Sequence, residues 1–480
     1  MRQLHLLAGV VLMVISATDL PSVPQVSSDA QLAAYFQKFL DEEHAAWPLA
    51  ATNLGDRRFD DRLDDPSPEN RAAGLARYRR YLEELPRQIP YDKLNRNAQI
   101  DYEIFAHHLR RSLWQAENLR PYEKDPRAYV TLLTDSTYLL LSKSSAPKPI
   151  TVRNCAARMR QMPRVIAVAK QSLQVCPRVF VETAIPQTKG AISFYQSDIF
   201  QLAGETPQTS DLREPAHMVV EALRAFLRFL EQELLPKAHD NWRLGNERFA
   251  EKLTLELETD ITAQAVVNEA EREADRVEQE MYVMARQLWS SLYPKEALPP
   301  DDKAGRSRTI RLVLGKLATK HSRPEGLIHD VCKSAIEVKQ FIKQMDILPL
   351  PEPVTCKLVE MPEFQRGNST AYLNPAPPLD PHAGSYYAVN PPPGHWDAQR
   401  KNSYLEEYND YMTRIMTIHE AYPGHYVQLA FSNRCQSLIR KVLSSGVFAE
   451  GWAVYTEQMM LDQGFGNGDP ALRLHQLKFY

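Results

Sequence analysis

What this sequence lacks removes several functions before any motif is read. Its five cysteines, at 155, 176, 332, 356 and 435, never fall in a C-x-x-C pair, so they form neither a cysteine-based metal site nor a redox motif. A net charge of -3, with both signs mixed along 480 residues, supplies no basic field for nucleic acid, and no nucleic-acid partner is expected. The apolar run Leu6 to Ala17 falls short of the ~20 residues that a bilayer-crossing helix needs. It follows Arg2 and precedes T-D-L-P-S, the order of a secretory signal, which places cleavage near Ala17. No cysteine follows that could take a lipid, so the expectation is a soluble exported protein, periplasmic or secreted, without stable membrane insertion. An uncleaved anchor or a misassigned start is the alternative.

What is present is ordinary globular material, 44% hydrophobic and 24% charged, and within it one cluster whose spacing demands chemistry. The stretch Y-M-T-R-I-M-T-I-H-E-A-Y-P-G-H-Y-V-Q sets His419 and His425 on either side of Glu420. A second helical run, F-A-E-G-W-A-V-Y-T-E-Q-M-M, carries Glu450 and Glu457. A zinc hydrolase needs three protein ligands, an open position for water and a base beside it. In H-E-x-x-H the two histidines are four residues apart on one helical face; here they are six apart, about 240° around an ideal helix. Pro423 and Gly424 offer the remedy of a one-turn bulge that swings His425 back beneath His419. The alternative is that Pro423-Gly424 ends one helix and His425 begins another. Glu450 stands where a thermolysin-like site takes its third ligand. Gly451 next to it reads as room for close approach. Glu457, seven residues on and on the same face, reads either as an acceptor for a ligand histidine's other N–H or as a solvated carboxylate.

H-E-A-Y-P-G-H-Y-V-Q at 419 to 428 and E-G-W-A-V-Y-T-E at 450 to 457 resemble the bacterial "domain of unknown function 885" proteins, regarded as zinc peptidases related to the gluzincins. A-T-N-L-G-D-R-R-F-D-D-R-L at 51 to 63 and R-L-G-N-E-R-F-A-E-K-L at 243 to 253 add to the likeness, which covers nearly the whole chain after about residue 30. The resemblance implies His419, His425 and Glu450 as zinc ligands and Glu420 as catalytic base. It also implies a helical segment beyond L-R-L-H-Q-L-K-F-Y, where this sequence stops in an apolar-periodic run, so a truncated chain is expected.

The rest of the chain reads as mainly helical: residues 28–480 are expected to form one large multi-helix domain. Helices are read at Ser28 to Leu54, from the turn at 64–70 through Leu85, at Asn95 to Leu119, Val152 to Val175, Pro215 to Leu235, Arg308 to Leu317 and Pro324 to Met345. Residues 120–152 read as polar and Pro-rich, and Thr183 to Gln201 as a partly extended connection. His107 and His108 read as structural or solvated. Val267, Ala270, Ala274, Val277, Met281, Met284 and Leu288 form one apolar seam, either a core helix or a coiled-coil dimer. Cys155 and Cys176 pair or, with the others, stay free and buried. In the Pro-rich stretch 349–393, V-T-C-K-L-V-E and S-Y-Y-A-V-N are strand-prone, and Ser385 to Asn390 is a candidate edge strand for an extended peptide or half of a small hairpin.

These readings combine into a Zn2+-dependent peptidase in which Glu420 takes the proton of the attacking water. Tyr422, Tyr426, Tyr455 and Tyr386 are candidates for the transition-state donor or for substrate contacts. By analogy with angiotensin-converting enzyme and carboxypeptidase Taq, a helical shell around a deep cleft points to short peptides or chain ends. A zinc amidase or esterase acting on a non-peptide substrate, and an inactive helical binding protein, are the rivals.

Overall fold

The computed structural model describes residues 27–361 and 370–480. The secretory-signal expectation at 1–17 lies outside the described residues. The described chain is mainly helical, with one small three-stranded sheet.

Four apolar clusters organise the helices. One gathers Pro126–Ser142, Lys148–Ser172, Arg178–Ser193 and Arg213–Phe229 around residues such as Leu133, Met159, Phe194 and Leu223. A second joins Ser28–Ala46, Pro68–Gln88 and Arg96–Asn118 through Phe36, Phe39, Tyr81 and Phe105. A third packs Leu327–Gln344, the sheet and Asp410–Glu420 around Val338, Tyr387, Ile415 and Ile418. The fourth holds Ala263–Leu292, Lys303–Ala318 and Pro470–Phe479 together through Trp289, Val313 and Leu474.

Several expectations change here, each for a physical reason. Residues 126–142 are not polar connection but a helix, started by Asp125, whose side chain accepts from the Arg127 N–H, and by Pro126 at its first turn. T-L-L-T-D-S-T-Y-L-L-L is buried on most sides, so it shows no amphipathic period. Thr183 to Gln201 is helical too, interrupted by one π turn at Phe194–Asp198. The apolar seam of the long helix is covered only at its C-terminal end, where Met281, Met284 and Leu288 pack against the fourth cluster; Val267 is exposed. Cys155 and Cys176 are both buried and unpaired, and burial pushes both thiols up to about 12. His108 packs its ring edge-on to Phe39, and His107 lies 3.7 Å from Glu258, so neither joins the site.

The sheet departs from expectation in topology. Its strands are β1 (Cys356–Glu360), β2 (Ala371–Asn374) and β3 (Ser385–Val389), in the order β1-β3-β2. β3 runs antiparallel to β2, with which it forms the small hairpin, and parallel to β1, so the Ser385 strand is central and not an edge. Its consecutive buried residues Tyr387, Ala388 and Val389 are the mark of a strand covered on both faces. The edge beside the helix Asp410–Glu420 is β2, whose four residues are too few to display a period.

The last helix, Pro470–Phe479, fastens the start of the helix Asp410–Glu420. Asn409 caps Asp410–Glu420, its Oδ1 accepting from the N–H groups of Tyr411 and Met412, 3.1 and 3.2 Å away. The Asn409 Nδ2 lies 3.2 Å from His475 Nε2, and His475 Nδ1 lies 2.7 Å from the Ala471 carbonyl. The carbonyl fixes the proton on Nδ1, so Nε2 is the acceptor for the Asn409 amide, and a second proton has no acceptor to meet. Burial pushes His475 down to about 4, against the raising effect of the Ala471 carbonyl. A group with a depressed folded-state pKa binds more protons when unfolded, so its stabilisation is complete above about 6.5 and is lost as pH falls towards about 4. We expect the stability difference between wild type and His475→Gln, measured by urea unfolding, to shrink by ~2 kcal/mol between pH 7 and pH 4.5. A difference that stays constant with pH would contradict this assignment.

Candidate metal centre

The helix Asp410–Glu420 is buried on most of its surface, through Met412, Ile415, Met416, Thr417, Ile418 and His419. It stops at Glu420. Residues 421–424 form a turn containing a cis Tyr422–Pro423 peptide, and a new helix runs from His425 to Ser432. The insertion is therefore a helix break, not a bulge within one helix, yet the two imidazoles meet: their ring centroids are 4.7 Å apart, nearly perpendicular at 87°.

Gly424 explains how a break can still bring them together. Its N–H donates to the Ile418 carbonyl at 3.0 Å, which satisfies one acceptor at the end of the helix Asp410–Glu420. An added Cβ at 424 would stand 1.8 Å from the His419 carbonyl oxygen and 2.4 Å from that of Ile418. What glycine supplies there is space at the helix end. Trp452 closes the turn from the other side, donating its indole N–H to the Pro423 carbonyl at 2.9 Å.

Glu450 comes from the helix Gly446–Asp462, capped by the Ser445 side chain. Its Oε2 lies 3.6 Å from His419 Nε2 and 3.7 Å from His425 Nε2, and the three ligating atoms all fall within 4.8 Å of one another. Two ligands bound to one tetrahedral zinc at 2.0–2.2 Å are about 3.4 Å apart, so the spacing is close to what a shared ion imposes. Glu450 is 68% exposed while both imidazoles are largely covered, so the group opens to solvent on the glutamate side.

Glu457, at 0% exposure, places its Oε1 2.7 Å from His419 Nδ1. The solvated alternative for this residue is ruled out. With the proton of Nδ1 shared with Glu457, the Nε2 lone pair of His419 faces the Glu450 carboxylate, acceptor against acceptor. A cation between them removes that conflict, and this is the fit of the donor set to a metal. Burial alone would lower His419, but the Glu457 hydrogen bond and the charges of Glu420, Glu457 and Glu450 raise it overall. His425 is lowered by burial and by the charge of His419, against Glu450. Burial raises Glu457, with His419 opposing.

Glu420 lies beside these three, its Oε2 accepting the Leu373 N–H at 2.8 Å. Leu373 belongs to β2, and this N–H points away from β3, so the carboxylate rests against the sheet's outer edge. Burial raises Glu420, opposed by the charge of His419 and by the Leu373 bond.

The four candidate tyrosines divide. The Tyr426 hydroxyl accepts the Thr355 N–H at 3.0 Å and its ring is buried, so it supports the sheet. Tyr422 is buried against Tyr426 with Lys339 over its ring. Neither reaches His419, His425 or Glu450. Tyr455 is exposed beside Trp452, on the same helix as Glu450. Tyr386 lies on the sheet face opposite Tyr387, near Tyr138. Gly451 has nothing within 4 Å of an added Cβ, so no close approach takes place there. Trp452, the Leu373 N–H and Phe479, whose ring stands 5.6 Å edge-on to His419, escape a reading of spacing alone. A tryptophan two residues from a candidate ligand was the available signal.

Gly424→Ala is the sharpest local test of this geometry. We expect it to destabilise the fold by roughly 3 kcal/mol or more in thermal or urea unfolding, because both atoms it strikes are backbone. A change below about 0.5 kcal/mol would mean that the turn is not packed as described.

Similar proteins extend the picture. A candidate lipoprotein of unknown function from Shewanella oneidensis superposes with a TM-score of 0.73 at 27% identity, over 93% of this chain and 80% of its own. A candidate lipoprotein from Colwellia psychrerythraea shares the fold, with a TM-score of 0.72 at 17% identity over 95% of this chain and 81% of its own. No curated protein matches the sequence. The family model described as "Bacterial protein of unknown function (DUF885)" matches residues 48–480, which include all of the residues described above from 48 onward, and the chain belongs to that family.

Proposed function

We propose that this protein is an exported zinc-dependent hydrolase that cleaves peptide bonds, in short peptides or near chain ends. The observation that carries this reading is the convergence of His419, His425 and Glu450 on one point, with a half-buried Glu420 beside it.

Zinc, when bound, would acidify a water to a pKa near 7 and polarise the carbonyl under attack. The chain's own part is positional and acid–base. His419 and His425 would contribute Nε2 and Glu450 an oxygen, while Glu457 fixes the His419 ring and its tautomer. Glu420 takes the proton from the attacking water and returns it to the leaving amine, and burial, which raises its proton affinity, suits that task. The Leu373 N–H holds the other end of the same carboxylate group and so fixes its direction. Because the outer edge of β2 runs past Glu420, a peptide that adds to this edge as an extended strand brings its backbone alongside the base. Tyr386 and Tyr455 are the two tyrosines left to contact substrate or the developing oxyanion.

Export is supported by the signal-like start and by the description of both structural relatives as candidate lipoproteins. Among the described residues no helix is long and apolar enough to cross a membrane.

Metal analysis combined with digestion of a mixed peptide library tests the reading. We expect about one zinc per chain in both wild type and Glu420→Gln, with cleavage by the variant reduced about 10²- to 10⁴-fold. Equal cleavage by both would remove Glu420 from its role. Zinc without peptide cleavage would favour an amidase or esterase, and a chain that binds no zinc would favour a binding protein. Glu457→Ala should retain the fold and bind zinc about 10- to 100-fold more weakly in a competition titration, and unchanged affinity would contradict its orienting role.

A further inference from the structure

Two charged side chains of the helix Pro126–Ser142 and its end feel each other's charge without forming an ion pair. Asp135 and Lys143 lie on, and immediately after, the helix Pro126–Ser142. Neither side chain makes a hydrogen bond or an ion pair among the described residues, although both are half-buried. Asp135 is three residues before Tyr138 and so shares its helical face. The Tyr138 hydroxyl shares a hydrogen bond with that of Tyr372, and the charge of Asp135 is felt at both tyrosines, while that of Tyr386 is felt at Tyr138. Tyr372 precedes Leu373 on β2, the residue whose N–H holds Glu420. A carboxylate without a hydrogen-bond partner thus lies by the side chain of Tyr372, on the strand whose next residue holds the proposed catalytic base.

The position of Asp135 is enforced. The next residue, Ser136, is fully buried, and its carbonyl accepts from Arg158, itself fully buried, at 2.7 Å. The other Arg158 amino group donates to Thr52 Oγ1 at 2.6 Å. The helix cannot turn to release Asp135 into water without breaking these bonds.

We propose that Asp135 anchors a positively charged amino group of the substrate, so that this site selects peptides carrying a free α-ammonium or a basic side chain near the bond to be cut. A half-buried carboxylate without a hydrogen-bond partner gains most from a partner that brings its own charge. Burial pushes Asp135 up to about 6, with Lys143 pulling it back, and pushes Lys143 down to about 8. At pH 7 the aspartate is therefore mostly ionised and ready for the cation. The inference rests on the hydrolase reading only in taking the space beside β2 as the path of the substrate.

Binding, read apart from catalysis, tests it. Isothermal titration of the full chain carrying Glu420→Gln would compare Ala-Ala-Ala with its N-acetylated form, and N-acetyl-Ala-Lys-Ala with its norleucine counterpart. In at least one pair the cationic member should bind about tenfold tighter, and which pair does so tells an α-ammonium from a side chain. Adding Asp135→Asn should bring that ratio to about one. Asp135→Ala provides the same readout from a second side chain, with unfolding midpoints checking that each variant folds. A ratio near one before the substitution, a preference that survives it, or no binding of either member would overturn the proposal. Zinc content and wild-type cleavage report separately on the hydrolase: a chain that holds zinc and cuts acetylated peptides without any cation preference keeps that reading and loses this one, and a cation preference that collapses in a chain without zinc does the reverse.

Discussion

A carboxylate with no access to solvent must be paired, and Glu457 is paired with His419 Nδ1. From this contact the geometry of the centre follows. It sets the ring plane and the tautomer of His419, which leaves Nε2 facing outward. Two turns earlier on the same helix, Glu450 is then obliged to face that nitrogen, because residues seven apart share a helical face. His425 completes the group only because the chain can reverse tightly against the last carbonyls of the helix Asp410–Glu420, and Gly424 is the residue that leaves room for it. A buried ion pair is weak evidence of stability by itself, but here it orients a ring whose second nitrogen is aimed at two other ligand-type groups.

The N-terminal helices matter to this centre through a brace. Gly55, at φ +89°, ends the helix Pro48–Leu54 in a left-handed conformation and lies so near the loop before β3 that an added Cβ would be 2.6 Å from the Asp380 N. Arg57 pairs with Asp380 at 2.8 Å, and the Ser145 hydroxyl donates to the same carboxylate at 2.7 Å. The Leu379 N–H donates to the Leu54 carbonyl at 2.8 Å. The L-G-D-R-R stretch, far from the metal motif in sequence, thereby ties the first helices to the segment leading into the sheet against which Glu420 rests. It is a structural reason for two distant motifs to occur together.

The helical class and the identity of the clustered residues were legible because each rests on a local signal. Helical periods mark the amphipathic helices, and histidine and glutamate types mark a ligand set. Chain path was less legible. Six-residue spacing cannot separate a bulge from a helix break, since both deliver His425 to the same place, and only the backbone contact at Gly424 decides. The helix Pro126–Ser142 hid because burial on most sides erases periodicity, and β2 hid because four residues cannot show one. Glycine identity misled at Gly451, where the space is open, and informed at Gly424, where it is closed. Tyrosines near the motif were grouped by sequence distance, whereas Tyr422 and Tyr426 turn into the core and Tyr386 crosses to the other face of the sheet.

The central claim is that His419, His425 and Glu450 share one ion. Anomalous diffraction from crystals of the zinc-treated chain, collected on both sides of the zinc edge, addresses it directly. The account predicts a single strong peak bonded to Nε2 of both histidines and to the Glu450 carboxylate, at about 2.0–2.2 Å from each. The absence of a peak there, or zinc bound elsewhere with these three side chains drawn apart, would contradict it.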